Sequence, residues 1–219
     1  MLRTLFAVAC AALLVACSSG EPTPADVPDD ISRVIDLKST FGPEFKVTTV
    51  APTGIDPRIL APQTLPPGVK FEPPDCAKFA TGLALPAGLK GNMAATTAEG
   101  EGNRLIAIAV ETSEPVPLTD PGQACQKVEF AGPSSRGLVE VAESPVIDGA
   151  RTLGTHRVVQ TVVNGKPASG ELYNYVASFG SILVIVTANP LVLPNQPVAP
   201  VNTQKARDLL TAAVAAVRG

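Results

Sequence analysis

The chain has no tryptophan, one histidine, and two tyrosines with seven phenylalanines among 219 residues, so aromatics are only 4%. That leaves little aromatic surface to line a sugar cleft. Basic residues do not outnumber acidic ones: 17 Lys and Arg against 20 Asp and Glu give a net charge of −3. With no basic excess to neutralise phosphates, nucleic acid is excluded as a partner. One His and four Cys, with no Cys-x-x-Cys spacing, supply neither a structural zinc ligand set nor a dithiol redox motif. Charged residues are 17% and hydrophobic ones 45%, which is not the composition of a disordered chain. Beyond the first twenty residues no run approaches the ~18 apolar residues of a membrane-spanning helix.

What is present at the N terminus is a processing signal. Arg3 is a short positive region, and Thr4 to Ala16 is uncharged and rich in Leu, Ala and Val. At about a dozen residues this stretch suits a signal h-region and is too short to cross a bilayer. It ends in Leu14-Val15-Ala16-Cys17, followed by Ser18-Ser19-Gly20. These four residues resemble the lipobox of bacterial lipoproteins. The resemblance implies diacylglycerol on the Cys17 thiol, cleavage before Cys17, and acylation of the new amine, with palmitate as the typical chain. Two acyl chains give stable membrane anchoring, whereas one is marginal. Residues 17–30 then read as the lipidated cysteine and a polar, proline-rich, acidic tether. Residues 31–219 are expected to form a single domain.

Cys10 leaves with the signal and Cys17 takes lipid, so Cys76 and Cys125 remain. An exported chain meets an oxidising compartment, where these two are expected to pair. The alternative is two free buried thiols.

The pattern along the chain predicts an α+β fold. Its core is an antiparallel sheet of about 5–7 strands, with short helices and a C-terminal amphipathic helix packed on it. Asp29 or Asp30 caps one or two helical turns, and Phe45 to Val50 reads as a strand. The seven prolines of residues 51–74 exclude a regular helix or a central strand, leaving an extended loop. Asp75 caps a short helix from Cys76 to about Leu83. Two segments flanking residues 99–102 make a hairpin, and Leu105 to Val110 is apolar throughout, as for a strand covered on both faces. A loop or short helix is expected around Gln123 to Val128, then a strand from Leu138 to Glu143.

Asn164-Gly165 is the strongest two-residue hairpin signal, because a type I′ turn needs φ > 0 twice. With that turn Val163 opposes Lys166, His156 faces Tyr173, and Gly154 faces Tyr175. After a further strand, Ile182 to Thr187, the apolar stripe Ala206, Leu209, Leu210, Ala213, Val214 and Val217 has helical spacing behind an Asn202 or Thr203 cap.

Chemistry-bearing motifs are few. A Ser-His-acid triad would have to use His156, and no Gly-x-Ser-x-Gly elbow exists. Glu99 with Glu101, Glu111 with Glu114, and Glu140 with Glu143 are close in sequence, but a glycosidase would want aromatic walls around them. The chain is therefore read as not an enzyme, with no catalytic residues, no metal and no cofactor. Tyr173 and Tyr175 lie two apart on one strand and so on one face, which makes them candidates for ligand contact at a groove floor. Packing is the other reading of the pair.

Asp30-Ile31-Ser32-Arg33-Val34, Leu37-Lys38, Phe45-Lys46-Val47, Pro74-Asp75-Cys76, Gly122-Gln123-Ala124-Cys125, Asp148-Gly149-Ala150 and the Gly170 to Tyr175 strand form a set. Together they resemble a domain-of-unknown-function family of lipoproteins from mycobacteria and related actinobacteria, over roughly Asp30 to Val217. A more distant similarity is to the extracellular sensor domain of a mycobacterial serine/threonine kinase. The resemblance implies a lipid-anchored protein on the outer face of the cell membrane or in the envelope beyond it. Its expected role is non-enzymatic binding of an envelope ligand or protein partner. The alternative is an envelope lipid carrier, with an apolar cavity between sheet and helices lined by Leu105, Ile108, Ile182 and Val186.

Overall fold

A computed structural model describes residues 28–56, 65, 68–83, 85–86, 88–163, 165–194 and 196–219. Residues 1–16, Cys17 and most of the tether lie outside the described residues, as does Asn164. Among the described residues nine strands run in chain order: β1 (Lys46–Gly54), β2 (Lys70–Glu72), β3 (Gly91–Gly100), β4 (Asn103–Thr112), β5 (Lys127–Ala131), β6 (Ser135–Ala142), β7 (Arg151–Val163), β8 (Lys166–Phe179) and β9 (Ile182–Pro190). They make one sheet in the order β1-β3-β4-β9-β8-β7-β6-β5-β2. Every pairing is antiparallel. A 3-10 helix, Ile31–Thr40, and the C-terminal helix, Thr203–Arg218, complete one layer. A 3-10 turn, Pro74–Cys76, leads into a short helix, Ala77–Ala80, on the other side.

The α+β class is as expected, with more strands than the 5–7 anticipated. β5 lies where a loop or short helix was expected. Only Val128 and Phe130 of its five residues turn inward, a pattern too short to stand out among charged neighbours. β2 is three residues of sheet edge inside the proline-rich stretch. Pro52 sits in the other edge strand, at a register shift between Val50 and Thr53, where a missing N–H costs no central ladder bond. The two edges are consecutive in sequence, so residues 55–69 join opposite sides of the sheet.

The sheet centre explains the rest of the packing. Leu105, Ala107 and Ala109 of β4 face one side, while Ile108 and Val110 face the other; all are at most 1% exposed. In β9, Val184 and Val186 join the first side and Leu183 and Ile185 the second. Full burial of each large aliphatic side chain contributes about 1.5–3 kcal/mol.

Two helices cover the first face. The predicted stripe from Ala206 to Val217 is buried against it, as are Ile31, Val34 and Leu37 of the 3-10 helix. Polar contacts fix both helices in place. The Asp30 carboxylate accepts from Ser32 N at 2.8 Å, and these hydrogen bonds hold its carboxyl below the usual range. Thr96 Oγ1 donates to Val34 O at 2.8 Å. Asn202 caps the C-terminal helix through Lys205 N, while its own N–H donates to Asn103 Oδ1, both at 3.0 Å. The backbone N–H of Asp30 reaches Val217 O at 2.8 Å, tying the two ends of the fold together.

The β7–β8 register is the one the Asn-Gly dipeptide predicts: Val163 pairs with Lys166, His156 with Tyr173 and Gly154 with Tyr175. A Cβ at Gly154 would come within 2.6 Å of Ala142 O and 3.1 Å of a Tyr175 ring carbon, so the tyrosine ring lies over the gap left by the glycine.

On the second face, Cys76 and Cys125 form a disulfide across 49 positions, with Cα atoms 5.5 Å apart. Cys76 is 1% exposed and packs with Phe79, Val128, Phe130 and Val139. Loop-closure entropy assigns such a bridge ~4 kcal/mol. Replacing both cysteines by alanine should lower the unfolding free energy by about 2–4 kcal/mol in urea titration. An unchanged midpoint would contradict a structural role for the bridge.

Candidate functional site

The first face is only partly covered. The C-terminal helix lies over β4, β8 and β9, and Tyr175 beneath it is fully buried. Its hydroxyl is buried beside the Arg207 guanidinium. Burial raises the Tyr175 pKa against that guanidinium. Tyr173, two residues earlier on the same face, emerges beyond the helix. Its ring stacks on His156, centroids 4.1 Å apart and planes 11° apart. Burial first, then the Glu171 and Glu140 carboxylates, raise its pKa.

The candidate pair thus divides into a fully buried core residue and a half-buried one at the edge of the same core. Only Tyr173 is placed to meet a ligand on this face.

His156 is held on both sides. Its Nδ1 lies 3.0 Å from Glu140 Oε1 and its Nε2 3.1 Å from Glu171 Oε2. A neutral ring donates to one of these carboxylates, and a protonated ring to both. Each ring nitrogen faces a carboxylate, so Glu140 and Glu171 fix the orientation of His156. The acidic residues flanking the β3–β4 turn are also taken up: Glu99 pairs with Arg104 at 2.7 Å and Glu101 with Lys205 at 3.0 Å. Among the described residues, no cluster of three or more His, Cys, Asp or Glu could hold a metal.

The carrier reading placed a cavity around Leu105, Ile108, Ile182 and Val186. Leu105, Ile182 and Val186 pack beneath the C-terminal helix, none more than 3% exposed. Ile108 points to the opposite face.

The second face carries a crevice of about 290 Å³. Leu153 and Val176 form its floor, Phe79 and Leu83 one wall, and Val116 and Leu118 the other. Thr155 and Asn174, a cross-strand pair of β7 and β8, line its deep end. There it adjoins a cavity of about 20 Å³ that also touches Arg157. Arg157 is 8% exposed and donates to Ala80 O at 3.2 Å. Burial lowers its pKa to about 10, so it stays charged at neutral pH. Asn174 Oδ1 is buried with no hydrogen-bond partner. Two larger hollows, about 540 and 450 Å³, lie around Arg136 and Gln160 and open more widely to solvent.

Sequence reading missed the crevice. Its walls come from residues 79–86 and 116–119, which approach only in the fold. Arg157, a charge facing inward on a strand, and Asn174, between two tyrosines, were the available signals.

This architecture, a nine-stranded antiparallel sheet with helices on one face and a disulfide-held cover on the other, agrees with the comparisons. Residues 30–218 match the DUF5642 family, a domain of unknown function, and the chain belongs to that family. A solved structure of an uncharacterised Mycobacterium smegmatis protein, the Rv0999 orthologue, is 66% identical. It covers 89% of this chain and 100% of its own, with a TM-score of 0.84. The extracellular domain of PknH from Mycobacterium tuberculosis is 12% identical, covering 87% of this chain and 98% of its own. Its TM-score is 0.35, too low to carry an argument. No curated protein matches the chain.

Both tyrosines of the chain have raised pKa values, so the folded protein holds their protons above the ordinary value of 10.0. That preference stabilises the fold fully below the unfolded pKa and is lost as pH rises through the folded values. Tyrosinate absorbance should therefore reach its midpoint above pH ~10, where free tyrosine is half ionised. A half-complete titration there would contradict the packing described.

Proposed function

We propose that the chain is an exported lipoprotein, held at the outer face of the cell membrane or in the envelope through Cys17, whose folded part is a non-enzymatic binding module. Residues 1–16 are its signal, 17–30 its lipidated tether and 31–219 its single domain. The Leu14-Val15-Ala16-Cys17 sequence supports the anchor. The Cys76–Cys125 bridge supports export, since such bonds persist in oxidising compartments. No helix among the described residues is long and apolar enough to cross a membrane.

One observation carries the binding role. The crevice, about 290 Å³, sets the polar cross-strand pair Thr155 and Asn174 among the apolar side chains of Phe79, Leu83, Val116, Leu118, Leu153 and Val176. That is the layout of a small-molecule site, with a mostly apolar lining and a few placed polar groups. Its ligand, or a protein partner at this face, would be met outside the cell.

Intact mass of protein extracted from its own membranes checks the anchor. The mature chain should begin at Cys17, carry diacylglycerol and fractionate with membranes. Cys17→Ser should abolish the lipid mass and the processing. A mature wild-type chain without lipid would overturn the proposal.

A further inference from the structure

The hollow of about 540 Å³ beside the β7–β8 hairpin is lined by no Asp or Glu, in a chain whose acids outnumber its bases. Its one charged residue is Arg136. Arg136, Gln160 and Ser169 stand directly opposite one another on β6, β7 and β8, so they share one face of the sheet. Arg136 Nε donates to Gln160 Oε1 at 2.9 Å. That bond fixes the plane of the guanidinium and leaves its two terminal nitrogens to point elsewhere. Among the described residues no carboxylate lies within ion-pair distance of them. The Gln160 amide nitrogen and the hydroxyls of Ser134, Thr161 and Ser169 add donors around the same space.

The neighbouring hollow, about 450 Å³, shares Arg136 and Gln160 but carries Glu72 and Glu129. Those carboxylates repel an anion from that side, so the acid-free hollow is where one would settle. A guanidinium presents two parallel N–H groups to an oxyanion. A carboxylate spends both its oxygens on that fork. A phosphate keeps a third oxygen for the adjacent amide and hydroxyl donors. No aromatic ring lines the hollow, so a sugar ring has nothing to stack on, whereas a short flexible polyol needs only hydrogen bonds. The volume lies within the ~300–1,000 Å³ of small-molecule sites.

From these features we infer that the hollow binds the phosphate of a short polyol, with the phosphate on the Arg136 guanidinium and the polyol hydroxyls among Gln160, Thr161 and the serines. This site shares no lining residue with the crevice on the second face and stands independently of it. The same chemistry is carried by a free polyol phosphate and by the headgroup of a glycerophospholipid.

Glycerol 3-phosphate, inorganic phosphate and glycerol separate the contributions. A solved chain 66% identical to this one spans 89% of it, so residues 28–219 are titrated as a folded unit by backbone amide NMR. Glycerol 3-phosphate should bind with Kd on the order of 1 mM, about fivefold more tightly than inorganic phosphate, and glycerol should not bind. The largest shifts should fall on Gly132, Arg136, Gln160 and Ser169. Arg136→Ala should weaken glycerol 3-phosphate at least tenfold, and Arg136→Lys severalfold, since an ammonium keeps the charge but not the fork. Arg104→Ala, an exposed arginine paired with Glu99 elsewhere on the sheet, should leave binding unchanged. Thermal melting confirms that each variant is folded. Phosphatidylglycerol vesicles, set against phosphatidylcholine ones, form the second arm. Co-sedimentation that Arg136→Ala abolishes would assign the phosphate to a lipid headgroup. Binding of glycerol 3-phosphate without co-sedimentation would assign it to a soluble ligand.

No binding in either arm, shifts centred elsewhere, equal affinity for glycerol 3-phosphate and inorganic phosphate, or the same loss in Arg104→Ala as in Arg136→Ala would overturn the assignment.

Discussion

Strands β4 and β9 carry apolar side chains on both faces, so neither side of the sheet centre can be left to water. This constraint shapes everything around it. One face is closed by the two ends of the chain, with the 3-10 helix after Asp30 and the C-terminal helix meeting through the Asp30 N–H and Val217 carbonyl. Among the described residues, the other face has no long helix to close it. It is covered by loops, a one-turn helix and a single disulfide that fixes them to the sheet. Loop cover packs less completely than a helix with a continuous apolar stripe. The crevice lies in that cover, between residues 79–86 and 116–119.

The same asymmetry separates the two tyrosines. Strand alternation puts Tyr173 and Tyr175 on one face, but the C-terminal helix covers only the second. Tyr175 fills the space over Gly154 and is core, while Tyr173 stacks with His156 at the edge of the covered region. A face shared along a strand therefore does not imply a shared environment. The helix footprint decides, and no local pattern in β8 reports where it ends.

Local signals carried much of the fold. Asn-Gly set the longest hairpin, since its register follows from turn geometry alone. The helical stripe from Ala206 to Val217 and the Asn202 cap are properties of one contiguous segment. The unbroken apolar run from Leu105 to Val110 announced burial on both faces. β2 and β5 were not legible, because three to five residues of edge strand give too little alternation to compete with nearby prolines and charges. The pairing of Cys76 with Cys125 followed from compartment chemistry rather than from pattern. The crevice was invisible for another reason: its walls are assembled by long-range contacts.

If two-sided burial of β4 and β9 is what the fold depends on, those strands should be the last to open. Native-state hydrogen exchange measures this directly. The account predicts that amides in the middle of β4 and β9 exchange only by global unfolding, whereas those of β2 and β5, at the disulfide-held edge, exchange earlier through local opening. Protection of β2 and β5 equal to or greater than that of β4 and β9 would contradict it, and would place the stability of this protein in its bridged edge instead.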